Sequence, residues 1–186
     1  MYRLFFLSFL FMFSQETFSQ DWPNLLRYRD ADEKLGNPVP GEKRIVFMGN
    51  SITEGWINAH PEFFRENHLI NRGIGGQTTP QMVLRFRQDV IDLKPAAVFI
   101  LAGINDIAGN TGPSTLKMIK DNFENMAFLA EAARIKVVLC SILPSNKIPW
   151  RDNMNPSEKI RQINTWMKSF AESHQFEYVD YYSVLK

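Results

Sequence analysis

Three polar loops hold the residues whose types and spacing could do chemistry. The stretch "RIVFMGNSITEGW", residues 44–56, puts Ser51 one step past an apolar run and a Gly49-Asn50 pair. A serine hydroxyl at such a turn has two uses. It can attack an acyl carbon as a nucleophile, or it can cap the helix that follows, with Glu54 at capping-box spacing. The stretch "NRGIGGQTT", residues 71–79, is rich in glycine, which lets backbone N–H groups come close to an anion. Thr78 stands where a dinucleotide fingerprint needs its third glycine, and no lysine follows as in a P-loop. An oxyanion developing on a substrate is the better match for this loop. In "AGINDIAGN", residues 102–110, the side-chain amide of Asn105 offers two donors, for an oxyanion or for its own turn. Asp106 beside it invites a metal, but no cluster of hard ligands stands with it.

These loops need strands to present them. Short runs rich in apolar and β-branched residues mark strand candidates at 44–48, 69–71, 96–101, 135–141 and 176–179. Between them, Thr79-Pro80, Gly112-Pro113 and Asn155-Pro156 each pair a capping residue with a proline suited to the first helical turn, and Glu158 lies at capping-box spacing from Asn155. Apolar stripes at helical period follow: Met82, Phe86 and Val90; Leu116, Ile119, Phe123, Met126 and Ala130; Ile160, Ile163, Met167 and Phe170. Strands alternating with helices specify a parallel sheet covered on both faces, whose crossovers bring the loops after each strand to one crevice. The fourth such loop is "SILPSNKIPW", residues 141–150.

The chain has 186 residues, enough for one domain with a sizeable core, and a net charge of +1. That charge argues against nucleic acid or an acidic membrane as the main partner. Cys140 is the only cysteine, so no internal disulfide or cysteine-rich zinc site can form; it sits in an apolar run as a buried, inert thiol. Residues 1–19 combine Arg3, an apolar stretch from Leu4 to Phe13 and small or polar residues before a cleavage point. This is the layout of a secretory signal peptide, too short to span a bilayer comfortably, with an uncleaved anchor or a buried helix as rival readings. The expected organisation is a leader at 1–19, a lead-in segment at 20–42 and one domain at 43–186, exported to the periplasm or beyond, with no stable membrane span after cleavage.

Taken together and in this order, "MGNSITEGW", "NRGIGGQTT" and "LAGINDIAGN" resemble the first three blocks of the SGNH hydrolases, also called GDSL esterases and lipases, and the resemblance runs from about Arg44 to the end of the chain. It implies a flavodoxin-like three-layer α/β/α sandwich around a mostly five-stranded parallel sheet, and hydrolysis of an ester through an acyl-serine, without metal or cofactor. By motif, Ser51 is similar to the nucleophile and lends its own N–H to the oxyanion, Gly76 to the backbone donor and Asn105 to the side-chain donor. The implied partner is a small-molecule or carbohydrate acyl ester; Trp56 and Trp150 are candidates to line the crevice and stack on a sugar, or else to pack. Two features depart from the family pattern. Asn50 replaces the usual aspartate of the first block. The last block, an Asp-x-x-His supplying the base, has no counterpart: none of His60, His68 and His174 has an aspartate three residues before it, and Asp180 precedes no such histidine. The domain is therefore expected to be incomplete at its C-terminal side. A catalytically silent carbohydrate- or acyl-binding domain is the rival reading.

Overall fold

Five short apolar runs pair into one sheet. In the computed structural model, which describes residues 21–186, the strands are β1 (Ile45–Gly49), β2 (Leu69–Gly73), β3 (Ala97–Leu101), β4 (Lys136–Cys140) and β5 (Glu177–Val179). The leader read at residues 1–19 lies outside the described residues. All neighbours are parallel, in the order β2-β1-β3-β4-β5. The chain thus starts its sheet in the middle: it steps to β2 on one side, then returns past β1 to build the other. Where the direction reverses, the loops leaving β1 and β3 part and open a crevice at the carboxyl ends of the strands. Register aligns that edge, with Gly49 opposite both Gly73 and Leu101.

The helices are α1 (Arg29–Leu35), α2 (Ser51–Ala59), α3 (Pro61–Glu66), α4 (Thr79–Asp89), α5 (Ile104–Ile107), α6 (Leu116–Ala132), α7 (Ser157–His174) and α8 (Tyr181–Leu185). Alternate strand residues Val46, Met48, Val98, Ile100, Val137 and Leu139 pack with Met82 and Phe86 of α4, Ile119, Phe123 and Met126 of α6, and Ile160, Ile163 and Met167 of α7. Each such side chain, fully removed from water, stabilises the fold by roughly 1.5–3 kcal/mol before entropy is counted. The opposite strand residues build a second layer. Phe47 stacks on Phe99, with centroids 4.7 Å apart, and meets Phe64 and Trp56 edge-on.

Three helix starts differ from the proline signatures. The cap of α4 is Thr78, not Thr79, and Gln81 completes its capping box. Helix α6 begins three residues after Pro113, at Leu116, because Gly112 closes a turn back to Gly109 with a φ of +108°; Thr115 caps it instead. At α7, Asn155 Oδ1 accepts from the Ser157 N–H, but Glu158 is engaged by Arg161 and Gln162 along the helix and forms no box.

The lead-in segment is part of the packed structure. Glutamine amides at the start and along one side of α4 hold it by its carbonyls: Gln77 Nε2 donates to Pro23 O (2.7 Å), Gln81 Nε2 to Trp22 O (2.6 Å) and Gln88 Nε2 to Leu25 O (2.6 Å). Tyr28 Oη donates to Gly73 O and Arg72 pairs with Asp32. Among the described residues, no helix is long and apolar enough to cross a membrane.

Candidate active site

Ser51 opens α2, but it does not cap it. The cap is Asn50, in extended conformation, whose Oδ1 accepts from the Ile52 N–H at 3.0 Å. The helix is thus entered one residue earlier, and the Glu54 N–H that a Ser51 capping box would have used donates to Asn50 O at 2.9 Å. The Ser51 hydroxyl is left exposed, with no hydrogen-bond partner among the described residues. Glu54, placed by spacing in a capping box, does something else: Oε2 accepts from the Gly75 N–H at 2.8 Å and Oε1 from Arg27 Nη2 at 3.1 Å. Among the described residues, the Nδ2 of Asn50 is buried without a partner.

The glycine loop lies against this helix start. Gly73 approaches α2 so closely that a Cβ there would collide with the backbone at Glu54, and a Cβ on Gly75 would lie 4.0 Å from that of Ser51. Residues Ile74 to Gln77 form a turn, Gln77 N to Ile74 O 3.4 Å, with Gly76 left-handed at φ +75°. Asn105, 1% exposed, reaches this loop from the end of β3: its Nδ2 donates to Gln77 O at 2.8 Å. That bond uses one of two N–H donors, and the second is available to another acceptor. The structure therefore brings Ser51, Gly76 and Asn105 together at the carboxyl edge of β1, β2 and β3.

Trp56 and Trp150 part company. Trp56 lies in an aromatic cluster, with one face stacked on Phe63 (5.5 Å between centroids) and T-shaped contacts to Phe47 and Phe64, so it serves packing. Trp150 stands half exposed beside the glycine loop; its Nε1 donates to Asn110 Oδ1 (2.9 Å), and Asn110 Nδ2 donates to Gly76 O (3.1 Å). The histidines lie elsewhere. His60 ends α2, nine residues and about 13 Å along the helix from Ser51. His68 precedes β2, and His174 ends α7, stacked on Phe176 ahead of β5. All three sit at the amino ends of the strands, across the sheet from Ser51. Asp180 caps α8 by accepting from the Ser183 N–H and hydroxyl.

Several supporting roles escape a reading by loops. Asp106, 2% exposed, accepts from the Thr79 N–H (3.0 Å) and hydroxyl (2.6 Å), and Thr79 Oγ1 accepts in turn from Asn122 Nδ2 (3.0 Å). Burial pushes the Asp106 carboxyl up to about 6, against the lowering effect of the Thr79 bonds. It fastens α5 to the start of α4. Arg85, fully buried, donates from Nε to Gln77 Oε1 (2.6 Å), from Nη1 to Asp89 Oδ2 (2.7 Å) and from Nη2 to Gly49 O (3.1 Å). One guanidinium thus braces the loop before Ser51 and the loop of Gly76. The available signal was an Arg-Asp pair at i, i+4 next to the apolar stripe of Met82 and Phe86. Cys140 is buried, and burial raises its thiol pKa to about 12, so it is an inert thiol.

Comparison with known proteins follows the same residues. A GDSL-like lipase from Bacteroides thetaiotaomicron VPI-5482 has a crystal structure that superimposes with a TM-score of 0.85 at 46% identity, over 87% of this chain and 79% of that one. The uncharacterized lipoprotein YqeF of Bacillus subtilis (strain 168) is 35% identical over 122 residues, 56% of this chain and 50% of YqeF. Human platelet-activating factor acetylhydrolase IB subunit alpha1 is 27% identical over 157 residues, 82% of this chain and 62% of the human protein. The chain therefore spans half to just under two thirds of the length of these two curated relatives. The model of the GDSL-like lipase/acylhydrolase family matches residues 47–186, a span that holds all three loops and every strand but the first two residues of β1. With its five-stranded parallel sheet covered on both faces and a match over most of its length, the chain belongs to the GDSL-like lipase/acylhydrolase family.

Proposed function

We propose that this protein is an exported serine ester hydrolase acting on a small acyl ester. The observation that carries the proposal is the Ser51 hydroxyl, relieved of capping by Asn50 and exposed beside two sets of donors. In this reading Ser51 Oγ attacks the ester carbonyl, and the negative charge that develops on the carbonyl oxygen is met by the N–H groups of Ser51 and Gly76 and by the second N–H of Asn105 Nδ2. Collapse expels the alcohol, and water then releases the acid from the acyl-serine. The base is a group other than His60, His68 or His174, which lie across the sheet; the family resemblance assigns it to an Asp-x-x-His block. An acetyl ester is the substrate class we favour, since one relative is named an acetylhydrolase. Trp150 offers a ring face next to the glycine loop for the alcohol part, a sugar or a glycerol. Export rests on the leader-like residues 1–19 and on a relative named a lipoprotein.

A second reading, a binding domain without turnover, is favoured by the distance of all three histidines from Ser51. One experiment separates the two. Purified protein is treated with a fluorescent organophosphonate and assayed on p-nitrophenyl acetate, as wild type and as Ser51→Ala. Hydrolysis and labelling that both disappear in the variant support the hydrolase. Binding of acetylated sugar without either supports the alternative, and labelling that persists in Ser51→Ala removes Ser51 from the chemistry.

A further inference from the structure

The peptide that joins Gly75 to Gly76 is bracketed. In the turn Ile74 to Gln77, the third residue, Gly76, has a φ of +75° while Gly75 does not have positive φ, which is the pattern of a type II turn. Type I and type II turns differ by a flip of that central peptide, so the turn type decides which way the Gly76 N–H points. The peptide itself makes no hydrogen bond among the described residues. Its neighbours do: the Gly75 N–H is held by Glu54 Oε2 at 2.8 Å, and the Gly76 carbonyl accepts from Asn110 Nδ2 at 3.1 Å.

Asn110 has a defined orientation because of what stands behind it. An indole N–H can only donate, so the Trp150 Nε1 contact at 2.9 Å obliges the Asn110 amide to turn its oxygen to Trp150 and its nitrogen to Gly76. Asn110 also donates its backbone N–H to Asn105 O at 3.0 Å, and Arg151 Nη2 donates to Gly109 O at 3.0 Å. The segment Trp150-Arg151 after β4 is thereby tied to both oxyanion loops through one asparagine.

We infer that Asn110 is a positioning residue that aims the Gly76 N–H at the oxyanion, with its amide oriented by the Trp150 indole. The inference rests on the ester-hydrolase reading for the meaning of that N–H, but the coupling of Trp150, Asn110 and Gly76 is measurable without it. It also assigns Trp150 a part in the turnover step, beyond offering its ring to a substrate. The fitting probe is Trp150→Phe, which keeps an aromatic face and removes the donor.

The test combines kinetics on p-nitrophenyl acetate with the amide resonances of 15N-labelled protein. Asn110→Ala is expected to lower kcat about tenfold, as misaiming a donor does, with KM changed by less than about twofold. Trp150→Phe is expected to lower kcat in the same way but less, and adding it to Asn110→Ala is expected to cost nothing further, because the two act in series. Both single variants should move the Gly76 amide resonance. An unmoved Gly76 resonance overturns the inference, as does a Trp150→Phe effect confined to KM or one that multiplies with that of Asn110→Ala. If Ser51→Ala keeps full turnover, the hydrolase reading fails by itself, and the resonance shifts alone then decide whether the relay exists.

Discussion

Asp106 shows how much a single buried carboxylate can reveal. Its carboxyl is raised from 3.8 to about 6 because burial disfavours the charge more than the Thr79 donors favour it. The folded state therefore holds this proton more tightly than the unfolded chain. The resulting contribution to stability is fully present below about pH 3.8 and is lost as pH rises through about 6, on the order of 3 kcal/mol by linkage. Asp106→Asn cannot titrate, so the difference in urea-unfolding free energy between wild type and variant should change with pH across that window; a constant difference would show that Asp106 does not titrate there. Asn105, its neighbour, acts differently. In a form that carries the Asp-x-x-His block, Asn105→Ala should lower kcat on an activated acetate roughly a hundredfold to a thousandfold with little change in KM, the usual loss for one oxyanion donor. An unchanged kcat would return Asn105 to holding Gln77 O and nothing more. Ser51 and Asn105 stood out in the sequence because each follows an apolar strand; Asp106 stood out only as a carboxylate that invites a metal, and its tie to Thr79 was not legible because that partner is 27 residues away.

At the scale of elements, α4 is the brace of the site. It carries an apolar stripe toward the sheet and a buried ion pair beside it, Arg85 with Asp89 at 2.7 Å. Removing one partner of a buried pair strands the other: Arg85→Ala should cost about 3–5 kcal/mol in chemical denaturation. Replacing both, as Arg85→Met with Asp89→Leu, should recover much of that loss, though not the bonds to Gln77 and Gly49 O. A double variant as unstable as Arg85→Ala would mean that those two bonds, rather than the stranded aspartate, carry the cost. The strands were legible to within one or two residues, since apolar runs between polar loops leave little choice. The helix starts were less so. A proline near a helix start marks the first turn, yet whether the chain enters at Gly112 or at Thr115 is decided by the left-handed turn at Gly109–Gly112.

For the molecule as a whole, the parallel topology separates two edges of the sheet. The polar loops collect at the carboxyl edge, while His60, His68 and His174 stand at the amino edge. Each histidine replaced singly by alanine should therefore leave the pH dependence of kcat/KM unchanged on an activated ester. A lost limb near neutral pH in any one of these variants would make that histidine the base and revise the geometry of catalysis. Residues 21–35 belong to the same whole, strapped to Gln77, Gln81, Gln88 and Gly73 and linked through Arg27 to Glu54 at the glycine loop.

The amino-acid sequence by itself determined the parallel α/β architecture, the five strands, the apolar stripes and the three loops that carry Ser51, Gly76 and Asn105. These follow from periodicity and from turn chemistry, which are local. Only the tertiary structure decided that Asn50 rather than Ser51 caps α2, that Glu54 holds Gly75, that Trp56 packs while Trp150 reaches Asn110, and that Arg85 joins two loops from beneath. Each of these is a choice among competing hydrogen-bond or packing partners. The Asn50 cap is a local contest, settled two residues on at Ile52; for the others the winning partner depends on residues brought close by the crossing of separate segments, and no spacing along the chain encodes that proximity.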